Sequence, residues 1–218
     1  YSGPTTVSAG GLIVDGSLDN SSVVVGAGGH LGGTGVVVGS VTVNSSATIA
    51  PGVAGVPGLF TVGSLSLASG SQTTFGILGD GDLAGVAGTN YGQLRVTDLS
   101  ENSASLGGTV RLEFGNTPPF ATGQVFQLFA FDNGISVGNL SSVIAAGSGA
   151  YSAVSFYRTG AREWTSTYGT SEQYLRFSEL TGRLEVVPEP STWGMLLAGG
   201  AAAGISALRR RRQKMLGM

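Results

Sequence analysis

Val25-Gly26-Ala27-Gly28-Gly29 is one of four related phrases in the first third of the chain. Val7-Ser8-Ala9-Gly10-Gly11 precedes it, and Val43-Asn44-Ser45-Ser46-Ala47 and Leu67-Ala68-Ser69-Gly70-Ser71 follow, with starts 18, 18 and 24 residues apart. Short β-rich runs stand beside these small-residue turns, among them Leu12-Ile13-Val14, Val23-Val24-Val25, Val36-Val37-Val38 and Val41-Thr42-Val43. A period of about 20 with strands of roughly three to five residues predicts the coils of a parallel β-helix, in which each coil buries its inward side chains on its neighbours. Tight corners need small side chains or φ > 0, which accounts for 22 of the 38 glycines falling before Gln93. A flexible Gly/Ser linker is the alternative, and the recurrent Val, Leu and Ile positions argue against it.

From Tyr91 onward the texture changes. Gln93-Leu94-Arg95-Val96, Thr109-Val110-Arg111-Leu112-Glu113-Phe114 and Gln124-Val125-Phe126-Gln127-Leu128-Phe129 alternate apolar and polar residues or are dense in β-formers, and aromatic residues concentrate between Phe126 and Phe177. Longer strands are expected there, capping the coil stack and ending with Gly182-Arg183-Leu184-Glu185-Val186-Val187. The expected fold class is all-β: a parallel β-helix (solenoid) of short coils over 1–79, a β-rich capping section over 80–187, and a tail over 188–218 containing one C-terminal transmembrane helix.

The body is poor in chemistry. The chain has no cysteine, so thiolate metal sites, cysteine nucleophiles and disulfides are excluded. Asp15 and Asp19 are the only charged side chains in the first 79 residues, beside the sole histidine, His30, which is expected to face away from Leu31. Gly79-Asp80-Gly81-Asp82 offers two carboxylates to Ca²⁺, but a single Asp-Gly-Asp without a repeated nonapeptide reads first as a turn. Glu163, Glu172 and Glu179 are the candidate acids for glycoside hydrolysis, which needs two carboxylates flanking one bond. Trp164, Tyr168 and Tyr174 offer stacking surfaces for a sugar, or core. With no partnered catalytic set, the chain reads as a non-enzyme with no catalytic residue and no cofactor.

The charges are sorted along the chain. Between Tyr1 and Val187 stand 12 acidic and 6 basic residues, a net of −6, whereas Arg209, Arg210, Arg211, Arg212 and Lys214 place five positive charges at the end. An acidic body repels phosphate, so nucleic acid is not an expected partner. The basic run closes an uncharged stretch, Trp193 to Leu208, whose 16 residues would make a helix of roughly 24 Å, somewhat short of a ~30 Å hydrocarbon core. Snorkelling arginines and local thinning close that gap, and the arginines are expected to stay cytoplasmic with everything before Trp193 outside. A buried Ala/Gly-rich helix is the alternative. Immediately upstream, Pro188-Glu189-Pro190 enforces an extended backbone, and Ser191 or Thr192 can cap the helix that follows.

Pro188-Glu189-Pro190, the short apolar helix at 193–208 and the arginine cluster, in that order, resemble the PEP-CTERM sorting domain. The resemblance implies export across the inner membrane of a Gram-negative bacterium, membrane holding by the helix, recognition of Pro188, Glu189 and Pro190 by an exosortase, and transfer to the cell surface or medium. Catalysis belongs to that exosortase, whose substrate the chain would be. Export also calls for a signal peptide, and the sequence opens at Tyr1 without one, so further upstream sequence is expected.

Gly32-Gly33-Thr34-Gly35, Ile49-Ala50-Pro51-Gly52 and Phe60-Thr61-Val62-Gly63-Ser64-Leu65 resemble the autotransporter-associated β-strand repeats of bacterial passenger domains, over roughly Thr5 to Phe75. That resemblance implies a right-handed parallel β-helix. The functional expectation is an exported surface or matrix structural protein, associated with exopolysaccharide or biofilm. The alternatives are a polysaccharide-binding or polysaccharide-processing β-helix, and an adhesin.

Overall fold

The computed structural model describes residues 3–19, 21–53, 56–78, 85–100, 103–115, 120–132, 136–167 and 173–188. The first coil is β1 (Thr5–Val7), β2 (Gly10–Ile13) and β3 (Ser17–Leu18), followed by β4 (Val23–Val25) and β5 (Gly29–Gly33). Then come β6 (Val36–Val43), β7 (Thr48–Val53), β8 (Val56–Pro57), β9 (Leu59–Leu67) and β10 (Gln72–Ile77). The later coils contain β11 (Gln93–Val96), β12 (Ala104–Leu106) and β13 (Thr109–Phe114). After β14 (Val125–Gln127) they close with β15 (Phe129–Phe131), β16 (Val137–Gly138) and β17 (Ser142–Gly147). The last four strands are β18 (Phe156–Gly160), β19 (Glu163–Ser166), β20 (Gln173–Ser178) and β21 (Arg183–Pro188).

Successive coils pair in parallel. One sheet runs β1-β4-β6-β9-β11-β15 and a second runs β17-β13-β10-β7-β5-β2, with β3, β12 and β16 beside the first and β8 beside the second. The repeat phrases lie on one another: Val7 pairs with Val25, Val25 with Val43 and Val43 with Leu67. All four side chains point into the core. In the second sheet an inward column runs Leu12, Leu31, Ile49, Thr73, Val110, Val143. The adjacent outward column is Gly11, His30, Thr48, Gln72, Thr109, Ser142, as strand alternation demands.

The parallel pairing runs through the change of sequence texture near residue 80. Leu59 pairs with Gln93 and Gln72 with Thr109, so the coils lengthen while their strands stay in register. The added residues fall between paired strands, where the closure cost grows only slowly with length. β13 shows the alternation that the sequence predicts, with Val110, Leu112 and Phe114 inward. At two corners glycine is required by approach of the neighbouring coil. A Cβ on Gly33, whose φ is +121°, would stand 2.2 Å from the Val14 carbonyl oxygen, and one on Gly63 would stand 2.1 Å from that of Val38.

The remaining sheet is antiparallel, in the order β14-β21-β20-β19-β18. It lies against the last coil: Phe177 of β20 meets Phe129 of β15, and the Gly182 carbonyl accepts from the amides of Leu128 and Phe129. Tyr151, Phe120, Phe126 and Phe114 fill the space between, with Phe120 stacked on Tyr151 at 4.8 Å and edge-on to Phe126 at 4.9 Å. Phe126, Phe129, Tyr151, Trp164 and Phe177 are therefore core, whereas Phe131, Phe156 and Tyr174 are half-buried and Tyr157 is exposed. No α-helix occurs among the described residues, and none of their elements is a helix long and apolar enough to cross a membrane. The stretch 193–208 lies outside the described residues.

Candidate functional site

β21 is an inner strand of the antiparallel sheet and carries the chain to Pro188. It pairs with β14 through Val125–Glu185, Phe126–Leu184 and Gln127–Arg183, and Val186 exchanges backbone hydrogen bonds with Gly123 and Gln124. Leu184 and Val186 are buried while Pro188 is exposed. Proline lacks an amide hydrogen, so ladder pairing through its nitrogen ends there. The chain divides at the same point into two compact units, Tyr1–Val187 and Pro188–Met218. Of the sorting residues read from the sequence, Pro188 sits at this exit. Glu189, Pro190 and Arg209 to Arg212 lie outside the described residues.

Of the acids proposed for sugar chemistry, the two that are described, Glu163 and Glu179, do not converge. Glu179 is fully buried and fully engaged: Trp164 Nε1 donates to its Oε1 at 2.6 Å, the Leu140 amide donates to Oε2 at 3.2 Å, and Arg158 Nη2 pairs with Oε1 at 3.2 Å. Arg162 approaches the same carboxylate at 3.8 Å and donates to the carbonyl and hydroxyl of Ser136 at 2.6 and 2.7 Å. Arg158 also covers the Trp164 ring, its Cζ 4.5 Å from the centroid. This cluster fastens the antiparallel sheet to the 136–140 segment of the coil stack. Glu163 alternates with Trp164 along β19 and so projects to the sheet's other face, beside Arg176, Arg183 and Glu185. Trp164 is core, so it offers no stacking face to a sugar. Glu172 and Tyr168 lie outside the described residues.

His30 projects outward between Gly11 and Thr48, as its position relative to Leu31 predicts, and is half-buried. Burial disfavours the imidazolium and lowers its pKa. Asp80 and Asp82 lie outside the described residues. Among the described residues no group of three or more His, Asp or Glu side chains is placed to hold a metal ion. Sequence reasoning missed Arg158, Arg162 and Arg183 because nothing in their spacing announces that the first two meet Glu179 and the third meets Gln127.

Residues 186–212 match the PEP-CTERM protein-sorting motif. The match takes in the last three described residues of β21 and runs through the arginine cluster. A 58-residue stretch is 48% identical to an adhesin, the BmaC autotransporter of Brucella suis biovar 1 (strain 1330). That stretch is 26% of this chain and 2% of the adhesin, so the chain spans only a small part of the relative's length. No solved structure matches.

Proposed function

We propose that the chain is an exported surface or extracellular-matrix structural protein, delivered by an exosortase that acts on Pro188-Glu189-Pro190. The observation that carries this is the PEP-CTERM match at 186–212, beginning where β21 brings the chain out of the folded unit at an exposed proline. Proline at 188 and 190 disfavours helix and ladder pairing, which suits recognition of this segment by a processing enzyme. In this reading residues 193–208 hold the chain in the inner membrane, Arg209 to Arg212 remain cytoplasmic, and the folded unit stands outside. The coil stack then serves as a rigid spacer or matrix element associated with exopolysaccharide or biofilm. It is non-enzymatic and uses no cofactor, and the buried ion pairs of Glu179 support that, since a carboxylate held by two arginines and an indole is unavailable as a general acid.

The local likeness to an autotransporter adhesin favours one further reading, in which the coils present an adhesive surface to another cell. The test of delivery is the intact mass of the protein recovered from the surface or medium of its native host, compared with that from a strain lacking the exosortase. A native form ending near Pro188 to Ser191, with the arginine tail kept only in the mutant, supports the reading. A native surface form that still carries Met218 overturns it.

A further inference from the structure

Six arginines fall among the described residues, and five are paired with a carboxylate: Arg95 with Asp132, Arg111 with Glu113, Arg158 and Arg162 with Glu179, and Arg176 with Glu185. Arg183 has no carboxylate partner among the described residues, yet its direction is fixed. Its Nε donates at 2.8 Å to Oε1 of Gln127, its cross-strand neighbour. Gln127 is itself pinned, since its Nε2 donates to the carbonyls of Phe129 at 2.5 Å and Thr181 at 2.6 Å. With Nε occupied, the two terminal nitrogens are left to face outward, spaced to meet both oxygens of one carboxylate.

Arg183 also stands between two clefts. One, of about 380 Å³, is lined by Gln127, Ala130, Phe131, Thr181 and Arg183, with the Phe131 ring held parallel to Phe129 at 5.9 Å. The other, of about 260 Å³, is lined by Glu163, Arg176, Ser178, Thr181, Arg183 and Glu185. Thr181 and Arg183 belong to both. The first supplies an apolar ring face beside a fixed cation. The second supplies carboxylate acceptors, guanidinium donors and hydroxyls together, a mixture that suits sugar hydroxyls because each of them both donates and accepts. A peptide strand would instead demand a row of free backbone groups.

We propose that Arg183, oriented by Gln127, binds the carboxylate of a hexuronate unit in an acidic polysaccharide, with the neighbouring sugars lying across the outer face of β19, β20 and β21. The site deepens the exopolysaccharide part of the proposed function and rests on it. The body's net acidity works against a densely charged polymer, so a glycan with spaced uronates is the better fit. At about 0.15 M salt the screening length is about 8 Å, and because Glu163 and Glu185 line the second cleft beside Arg183, the uronate carboxylate is placed on the side of the first cleft, whose lining holds no acid.

The test is titration calorimetry at that salt with the full chain in detergent, using tri-galacturonate and its methyl ester as probes. The wild type should bind the acid at least tenfold more tightly than the ester. Arg183→Gln should lose that preference with its melting temperature unchanged, Arg183→Lys should recover part of it, and Arg95→Gln, whose partner is Asp132, should keep all of it. Equal affinity for acid and ester, no binding of the acid, or wild-type affinity in Arg183→Gln each overturns the site. So does tighter binding of a short peptide through its C-terminal carboxylate than of the uronate. A protein that is cut and sorted normally while binding no uronate loses this site alone, and the delivery proposal stands on its own mass measurement.

Discussion

The indole Nε1 of Trp164 donates a 2.6 Å hydrogen bond to Oε1 of Glu179, in a pocket where the carboxylate has no exposure to solvent. Trp164 lies on β19 and Glu179 in the turn between β20 and β21, and Arg158 completes the arrangement from β18 over the indole ring. A buried carboxylate costs free energy unless its partners are all present. Glu179→Ala, which strands two arginines, should therefore lower stability by about 3 kcal/mol, and Trp164→Phe by about 1 to 2 kcal/mol. Urea denaturation with matched m-values measures both, and a loss below about 0.5 kcal/mol for Glu179→Ala would show that the cluster is not structural.

Gly33→Ala should cost several times what Gly16→Ala costs. The first puts a Cβ against the Val14 carbonyl at a positive φ, whereas a Cβ on Gly16 meets nothing within 4 Å. Overpacking against backbone costs about 1 to 3 kcal/mol, while an open site stays within about 0.5 kcal/mol of neutral. Equal melting temperatures for the two variants would contradict the close coil contact.

Deleting Gly26 to Val43 removes 18 residues, one whole repeat, and lets Val25 take the place of Val43 above Leu67. Deleting only Gly35 to Val43 removes nine and turns inward positions outward. The first variant should retain a cooperative unfolding transition and the second should lose it, as far-UV circular dichroism during heating would reveal. Equal damage from both would sink the coil register.

His30 gives a pH dependence with a definite sign. Burial lowers its folded pKa below the unfolded value, so the unfolded chain binds more protons between the two. Its contribution is fully present above about pH 6.5 and is lost as pH falls through the folded pKa. The chain has one histidine, and carboxylates ordinarily titrate lower. The urea midpoint should therefore drop slightly between pH 7.5 and 5.5 in the wild type and less in His30→Gln. A wild-type midpoint that rises on acidification would reverse the assigned direction.

Replacing Arg209 to Arg212 with glutamate removes the positive-inside signal and should disturb orientation or retention of the tail. Protease accessibility of the folded unit in spheroplasts measures this. Normal topology in that variant would count against a cytoplasmic role for the arginines.

The coil repeat was legible because identical physical demands recur at each turn. Val7, Val25, Val43 and Leu67 are separated in sequence by the residues needed to return to the same place in space, so their alignment on paper is their register in the sheet. The later coils were harder to read. Their strands alternate clearly, but loops of differing length hide the pairing of Gln72 with Thr109 and of Thr109 with Ser142. Glu163 and Glu179 looked equivalent as candidate acids, and strand alternation alone could not show that one faces outward while the other is enclosed by arginines.

By itself the sequence determined the all-β character, the stacking unit and the sorting motif, because each is written in a local or periodic pattern of small, apolar and charged residues. The tertiary structure decided which arginine meets which carboxylate, that Trp164 is core, and that Arg183 is held by Gln127 without an acid of its own. Those outcomes depend on side chains brought together from opposite ends of β14 to β21. An ion pair forms where the fold sets two groups within a few ångströms, a distance that sequence separation does not encode.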